Sequence, residues 1–274
     1  MKRFVLSSPP NPEGVVRLYD KDYHYLVRVR RLKPGSRFNA LLPDGTEVLV
    51  SVSSLADNIL IGQCSLPPKH LCVQTEKTHP QTSPSWESRP WAKTDIPPIV
   101  LLQGLPKGAK MDTIVRQAAE GGVFSVMPFQ SEYSTARPNA EKLKRWERIV
   151  KEARQQSGSA VQTSVLPPAG FDQMLEYWEA QKKSFRRPLG LVLHQEPLEK
   201  GSFHDYIRCN PDIVALAVGP EGGFSHREVS KFTAAGFKPL LMGNTILRVD
   251  TAALYGTAAL RIILLESESW MSGE

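Results

Sequence analysis

The sequence predicts an α/β protein in which a largely parallel sheet, wound with helices over residues 99–274, follows a small β-barrel over residues 1–66. Three observations carry this reading. From Ile99 onward, short apolar runs alternate with stretches of helical spacing, the pattern of repeated strand–helix units. Before residue 66 the apolar runs are short, alternate with polar residues, and are broken by turn signals, the pattern of a small barrel. Between the two, residues 67–98 are punctuated by prolines among Ser and Thr and read as a linker or insertion, with room for an extra hairpin at 71–75.

In chain order, residues 25–30 (Tyr-Leu-Val-Arg-Val-Arg) alternate as a strand would. Lys33-Pro34-Gly35 is a turn, 37–42 a strand, Pro43-Asp44-Gly45-Thr46 a hairpin turn, and 47–53 and 58–63 two further strands. Residues 99–103 form a buried strand. Met111, Ile114, Val115, Ala118 and Ala119 follow helical spacing until Gly121-Gly122 stops them. A strand at 123–129 leads to a helix capped by Asn139, with an apolar stripe of Leu143, Trp146, Ile149, Val150 and Ala153. Residues 161–166, 189–194, 213–219 and 239–242 are strands; 171–180, 225–235 and 251–265 are helices. Ser225 and Glu228 make a capping box that fixes where the second of these helices starts. The helix at 251–265 is apolar nearly all round and is expected to be buried.

Composition narrows the function classes. The chain has 274 residues, 34 Lys and Arg against 28 Asp and Glu, and a net charge of +6, which leans mildly toward a polyanionic partner. Its three cysteines, Cys64, Cys72 and Cys209, form no C-x-x-C and imply neither a disulfide framework nor zinc. The histidines show no ligand spacing, so no metal is expected. No apolar run approaches the ~20 residues of a membrane span, and the first ten residues lack the apolar core of a secretory leader; a cytoplasmic protein is expected.

Several motifs bear on chemistry. Gly104-Leu105-Pro106-Lys107-Gly108-Ala109-Lys110 follows a strand and opens a helix, but its spacing is not that of a phosphate loop, and Met111 stands where a magnesium-binding hydroxyl is needed. No G-x-G-x-x-G follows the first strand of the αβ region and no G-x-S-x-G elbow occurs, which argues against a dinucleotide site and a serine hydrolase. Lys107, Lys110 and Arg116 suit a polyanion or simply a solvated helix face. Arg28, Arg30, Arg31 and Lys33 lie beside Tyr23, His24 and Tyr25, a mixture suited to RNA or, equally, to a solvated strand face. The densest signal is Gly219-Pro220-Glu221-Gly222-Gly223 with Leu247-Arg248-Val249-Asp250-Thr251-Ala252 further on. Each follows an apolar strand and leads into a helix, where open α/β sheets bind ligands.

On these residues the chain resembles the RsmE family of RNA methyltransferases, which belong to the SPOUT superfamily. The Gly-Pro-Glu-Gly-Gly and Leu-Arg-x-acid-Thr-Ala segments are the most specific points of likeness. The segment from Gln103 to Gly122, the Ser131-Glu132 pair and the strand-turn pattern at 24–35 extend the match nearly end to end. Asp250 stands where the family usually has Glu.

The resemblance implies a PUA-like barrel at 1–66 and a SPOUT domain at 99–274 closed by a trefoil knot, which general connection rules would not predict. It implies methylation of N3 of a uridine in 16S ribosomal RNA from S-adenosyl-L-methionine, and a homodimer built on the knot helices. The implied partner is 16S rRNA or the small ribosomal subunit, with no membrane and no metal. Leu193 and His194, then Gly219, Pro220, Glu221, Gly222 and Gly223, then Met242, Gly243, Asn244, Ile246 and Leu247 would hold the cofactor. Arg248 would stabilise negative charge developing on the base, its permanent charge and forked donors suiting that task. Asp250 would orient Arg248 or help remove the proton, or else only cap the last helix. Arg3, Arg28, Arg30, Arg31, Lys33, Lys107, Lys110 and Arg116 would meet RNA. Two alternatives stay open: a SPOUT enzyme acting on another ribosomal or transfer RNA base, and an RNA-binding assembly protein whose catalysis has decayed.

Overall fold

The computed structural model describes residues 4–43, 45–65, 96–137, 139, 141–194 and 203–271. Residues 67–95 of the 67–98 insertion, with its hairpin at 71–75, and Arg3 lie outside them. Packing divides the chain into two compact units: Met1–Ala92 with Arg154–Gln162, and Lys93–Ala153 with Thr163–Glu274.

The N-terminal unit is a five-stranded sheet, ordered β1-β3-β4-β5-β2. Its strands are β1 (Phe4–Val5), β2 (Val15–Leu18), β3 (Arg37–Leu41), β4 (Glu47–Ala56) and β5 (Ile59–Ser65). Val48, Val50 and Val52 of β4 point into one core with Phe38, Ala40 and Leu60, while the residues between them do not, as the two-residue period of a half-buried strand requires. Asp57 and Asn58 turn β4 into β5 with φ of 49° and 60°, the left-handed pair that matches strand twist in a two-residue hairpin.

The expected strand at 25–30 is instead helical. Helix α1 (Asp20–Tyr23) runs into a π-helical segment, His24–Val29, in which the Arg30 amide donates to the Tyr25 carbonyl five residues back. Tyr23, Leu26 and Val27 turn inward at i, i+3, i+4 spacing, whereas Val29, which the alternation paired with Val27, is 60% exposed. Arg31 at φ 56° ends the segment. The strands β1 and β2 were not anticipated; at two and four residues they carry too little pattern.

The C-terminal unit holds a seven-stranded sheet, ordered β12-β10-β11-β6-β7-β8 with β9 also on β7, and all of its pairings are parallel. In sequence these are β6 (Ile99–Gly104), β7 (Ser125–Gln130), β8 (Ser164–Val165), β9 (Ala169–Gly170), β10 (Pro188–Leu193), β11 (Ile213–Val218) and β12 (Lys238–Leu240). Between them run α2 (Lys110–Glu120), α3 (Glu141–Ser157), α4 (Phe171–Lys182), α5 (Phe203–Ile207) and α6 (His226–Ala234), and α7 (Val249–Met271) closes the chain. Every residue of β6 and β11 is buried because helices cover both faces, which is why these strands read as unbroken apolar runs.

One face meets α2, α3 and α7 through Leu101, Val126, Leu191 and Leu216; the other meets α4 and α6 through Val100, Met127, Val192 and Ala217. Asn139 accepts the Glu141 amide at 2.8 Å, as its predicted capping role requires, and Trp146 with Ala153 of the α3 stripe is buried. The Ser225–Glu228 box is present.

Helix α7 is buried along one face by its own chain. Val249, Ala253, Gly256, Leu260 and Leu264 face the sheet, and Gly256 lets the helix lie so close that a β-carbon there would meet Leu216 Cδ2 at 2.8 Å. Leu254, Tyr255, Ile262 and Leu265 on the other side are exposed, so a single chain buries only one face of a helix that is apolar on both.

Candidate active site

Strands β12, β10 and β11 are adjacent and parallel, so the loops that follow them gather at one edge of the sheet. Strand β10 ends in Leu193, whose side chain packs against the core, and is followed by His194, whose amide donates to the Leu240 carbonyl at 3.1 Å. After β11, residues 219–223 form a tight turn in which the Gly223 amide donates to the Pro220 carbonyl at 2.9 Å. The turn needs its glycines. A β-carbon on Gly219 would sit 3.0 Å from Gly223 Cα, and Gly223 itself takes φ +70°.

After β12, residues 242–247 carry Gly243 at φ +114° and Ile246, 79% exposed. Gly243 and Asn244 are exposed, while Met242 and Leu247 are half-buried. Among the described residues none of these six makes a backbone–backbone hydrogen bond, and none is a proline. Their peptide donors and acceptors are therefore open to water or a ligand.

The 219–223 turn is fixed from two sides. Gly104, at the end of β6, touches it so closely that a β-carbon would lie 2.7 Å from Pro220 Cδ and 2.8 Å from Pro220 N. Beside it the buried Gln103 amide donates to the Gly104 carbonyl at 2.9 Å, while its Oε1 is buried without a partner. Glu221 then reaches across to the loop before α2. Its carboxylate accepts the Lys107 amide at 3.1 and 3.2 Å and the Lys110 ammonium at 2.6 Å. Desolvation pushes its pKa up, but hydrogen bonds from Lys110, its own amide and the Lys107 amide outweigh this and leave the carboxyl below its ordinary value. Glu221 is thus spent on protein groups, and Lys110, expected to meet RNA, has its charge committed to Glu221.

On the far side, Glu228 of α6 is only 4% exposed and accepts from Ser131 Oγ at 3.0 Å, the Glu132 amide at 2.9 Å and the Ser225 amide at 3.0 Å. One carboxylate thereby caps α6 and anchors the loop after β7. In the sequence Glu228 reads only as a capping residue; its second role joins residues 96 and 97 apart, which no local pattern signals. Tyr133, from that same anchored loop, lies against Gly222, where a β-carbon would meet Tyr133 Cβ at 2.9 Å.

Arg248 precedes α7 as its N-cap, its carbonyl accepting the Ala252 amide at 2.7 Å, and its side chain is exposed. Asp250 is the second helical residue and not the cap; its Oδ1 is buried and unpartnered. An acid in this first turn lies in the favourable field of the helix N-terminus. Among the described residues Arg248 and Asp250 form no ion pair with each other. Arg28, Arg31 and Lys33 are exposed and Arg30 half-exposed around the end of the π-helical segment; Lys107 and Arg116 are exposed beside and on α2. Among the described residues no group of His, Cys, Asp and Glu is placed to hold a metal, and no helix is long and apolar enough to cross a membrane.

Comparison with known proteins places these features in a family. An RNA methyltransferase domain model matches residues 93–261, and an RNA methyltransferase PUA domain model matches residues 18–63. Ribosomal RNA small subunit methyltransferase E of Synechocystis is 29% identical over 96% of this chain and 78% of its own length. The protein of that name from Aquifex aeolicus is 32% identical over 59% of this chain and 68% of its own. The crystal structure of a ribosomal RNA small subunit methyltransferase E from Neisseria gonorrhoeae bound to S-adenosyl methionine aligns with a TM-score of 0.72 at 26% identity, covering 96% of this chain and 98% of that one.

Proposed function

This chain belongs to the RNA methyltransferase family that includes ribosomal RNA small subunit methyltransferase E, and we propose that it methylates N3 of a uridine in 16S ribosomal RNA, using S-adenosyl-L-methionine. The observation that carries the reading is the set of three loops gathered at one sheet edge, with the peptide groups of 242–247 unspent.

The loops fit that cofactor. Gly223 and Gly243 both take positive φ and have nothing within 4 Å of where a β-carbon would stand, so the backbone can approach a ligand closely. Leu193 and His194, the 219–223 turn and the 242–247 segment hold the nucleoside through main-chain groups. Glu221 shapes the turn from behind. When bound, S-adenosylmethionine supplies a methyl group already activated by its sulfonium charge.

The protein's own task is to favour loss of the uridine N3 proton and to hold the base in line. Arg248, exposed at the N-cap of α7 just past the third loop, stabilises negative charge on the base oxygens. Asp250 orients Arg248 in the loaded enzyme or takes part in proton removal. Arg28, Arg30, Arg31, Lys33, Lys107 and Arg116 meet RNA phosphates, with the 1–66 barrel as the RNA-binding domain, 67–98 as the linker and 99–274 as the catalytic domain. The C-terminal segment is knotted, and two chains pair through the exposed face of α7. A ribosomal RNA substrate places the enzyme in the cytoplasm.

The test is transfer of labelled methyl to small ribosomal subunits from cells lacking this protein, with the product nucleoside identified. N3-methyluridine is expected. Another methylated nucleoside would move the target to a different base, and donor binding without transfer to any RNA would favour a decayed RNA-binding protein.

A further inference from the structure

We propose that Tyr133 is the platform on which the target base stacks beside the cofactor loops, an inference that rests on the functional reading above. Tyr133 leaves the end of β7 in a turn whose backbone is pinned. The Ser134 amide donates to the Ser131 carbonyl at 3.0 Å, and the buried Glu228 carboxylate holds Ser131 and Glu132. Its Cβ lies over Gly222, the one residue type that leaves room for it.

Despite this double anchoring Tyr133 is 49% exposed. Among the described residues its hydroxyl has no hydrogen-bond partner. It also joins none of the ring contacts that tie Phe129, Phe171, Phe224 and Phe232 together nearby. An isolated exposed tyrosine is ordinary on a protein surface. An exposed tyrosine whose backbone is held by a buried carboxylate, seated on the glycine turn of a ligand site, is placed for a purpose.

The chemistry of the ligand follows from the ring. An enzyme that modifies an atom on a base edge needs that base out of its helical stack, and unstacked bases are received on aromatic faces. The polar edge of uracil, O2, N3–H and O4, is engaged by the reaction and by Arg248, so its flat face is the handle left by which its plane can be set. A platform already fixed before binding loses little freedom in receiving it. Tyr133 is thus a substrate-positioning residue that sets the tilt of the ring, while Arg248 answers its charge.

The test uses the full-length protein with Tyr133→Leu and Tyr133→Phe. Leucine keeps the atoms that cover Gly222 and removes the flat face together with the hydroxyl; phenylalanine keeps the face and removes the hydroxyl alone. Methyl transfer to small subunits from cells lacking the protein is measured with S-adenosylmethionine saturating, alongside calorimetric binding of S-adenosylmethionine alone. Tyr133→Leu is expected to lower kcat/KM for subunits about 10- to 100-fold, the range of one lost base–aromatic stack, with donor affinity within about twofold. Tyr133→Phe is expected to stay within about threefold of the native enzyme.

A leucine variant as active as the native protein would overturn the inference, as would a phenylalanine variant that falls equally far. A leucine variant that loses donor binding in step with activity would also overturn it, by making Tyr133 a wall of the cofactor site. Absence of any transfer by the unaltered protein would instead remove the functional reading, and the inference with it.

Discussion

Glu221 and Lys110 face each other across two loops, carboxylate Oε1 to ammonium Nζ at 2.6 Å, although 111 residues separate them in the sequence. With the Lys107 amide on the same carboxylate, this contact ties the glycine turn after β11 to the segment that opens α2. Both side chains keep some contact with solvent, so the pair contributes little to global stability, about 1 kcal/mol or less. Its effect is local, holding the turn in one shape.

Glu221→Gln should therefore weaken S-adenosylmethionine binding several-fold while leaving the melting temperature nearly unchanged. The pH dependence has a definite sign. The folded carboxyl is held below its ordinary value, so its stabilising effect is complete above the pH where an unfolded glutamate titrates, about 4.3, and disappears as pH falls through the lower folded value. The small stability difference between the native protein and Glu221→Gln should be flat from neutral pH down to that range and close below it. A difference that grows on acidification would contradict the clamp.

Arg248 carries no structural burden visible among the described residues: it is exposed and has no acidic partner there. Arg248→Ala should leave thermal stability within about 0.5 kcal/mol of native, leave donor affinity largely unchanged, and abolish methyl transfer. Arg248→Lys keeps the charge but not the forked donors, and should recover only part of the rate. Transfer that survives the alanine change, with donor binding intact, would remove Arg248 from the chemistry.

Gly104 offers a different probe, because it touches the turn from the end of β6. A β-carbon there meets Pro220 Cδ and N, atoms that cannot rotate away. Gly104→Ala should cost about 1–3 kcal/mol, as overpacking does, and lower donor affinity as the turn is pushed off β6. Thermal melting and calorimetry on the same preparation check both. A normal melting curve with normal affinity would mean the turn is free to shift.

How far the sequence announced this molecule depends on whether each signal is local. Strands β6 and β11 were plain because burial on both faces demands unbroken apolar runs. Asn139 and the Ser225–Glu228 box were plain because caps are read within four residues. The glycine turn stood out by composition.

The misreading at 25–30 arose because Val27 satisfies a helical spacing with Tyr23 as well as an alternation with Val29; the burial of Leu26, which the alternation set beside Arg28 and Arg30, and the exposure of Val29 separate the two. Contacts such as Glu221 with Lys110, Glu228 with Ser131 and Tyr133 with Gly222 join distant segments, so no window of sequence contains them. For the same reason the apolar outer face of α7 read as buried: hydrophobicity reports that a face wants cover, not whether its own chain supplies it.

That outer face gives the last prediction. Leu254, Tyr255, Ile262 and Leu265 stand exposed along one side of α7, while Val249, Ala253, Leu260 and Leu264 on the other side are buried against the sheet. Large apolar side chains grouped on one helix face favour contact with a matching face by roughly 25 cal/mol for each Å² removed from water, and a second copy of the chain presents the same face. The native protein should therefore sediment as a dimer at micromolar concentration. Ile262→Glu places a charge in that contact without touching the inner stripe, so it should give a folded monomer with native helix content. Sedimentation velocity with circular dichroism separates the outcomes. A native protein that sediments as a monomer would sink the pairing outright, and an Ile262→Glu variant that stays dimeric would place the contact elsewhere on the surface.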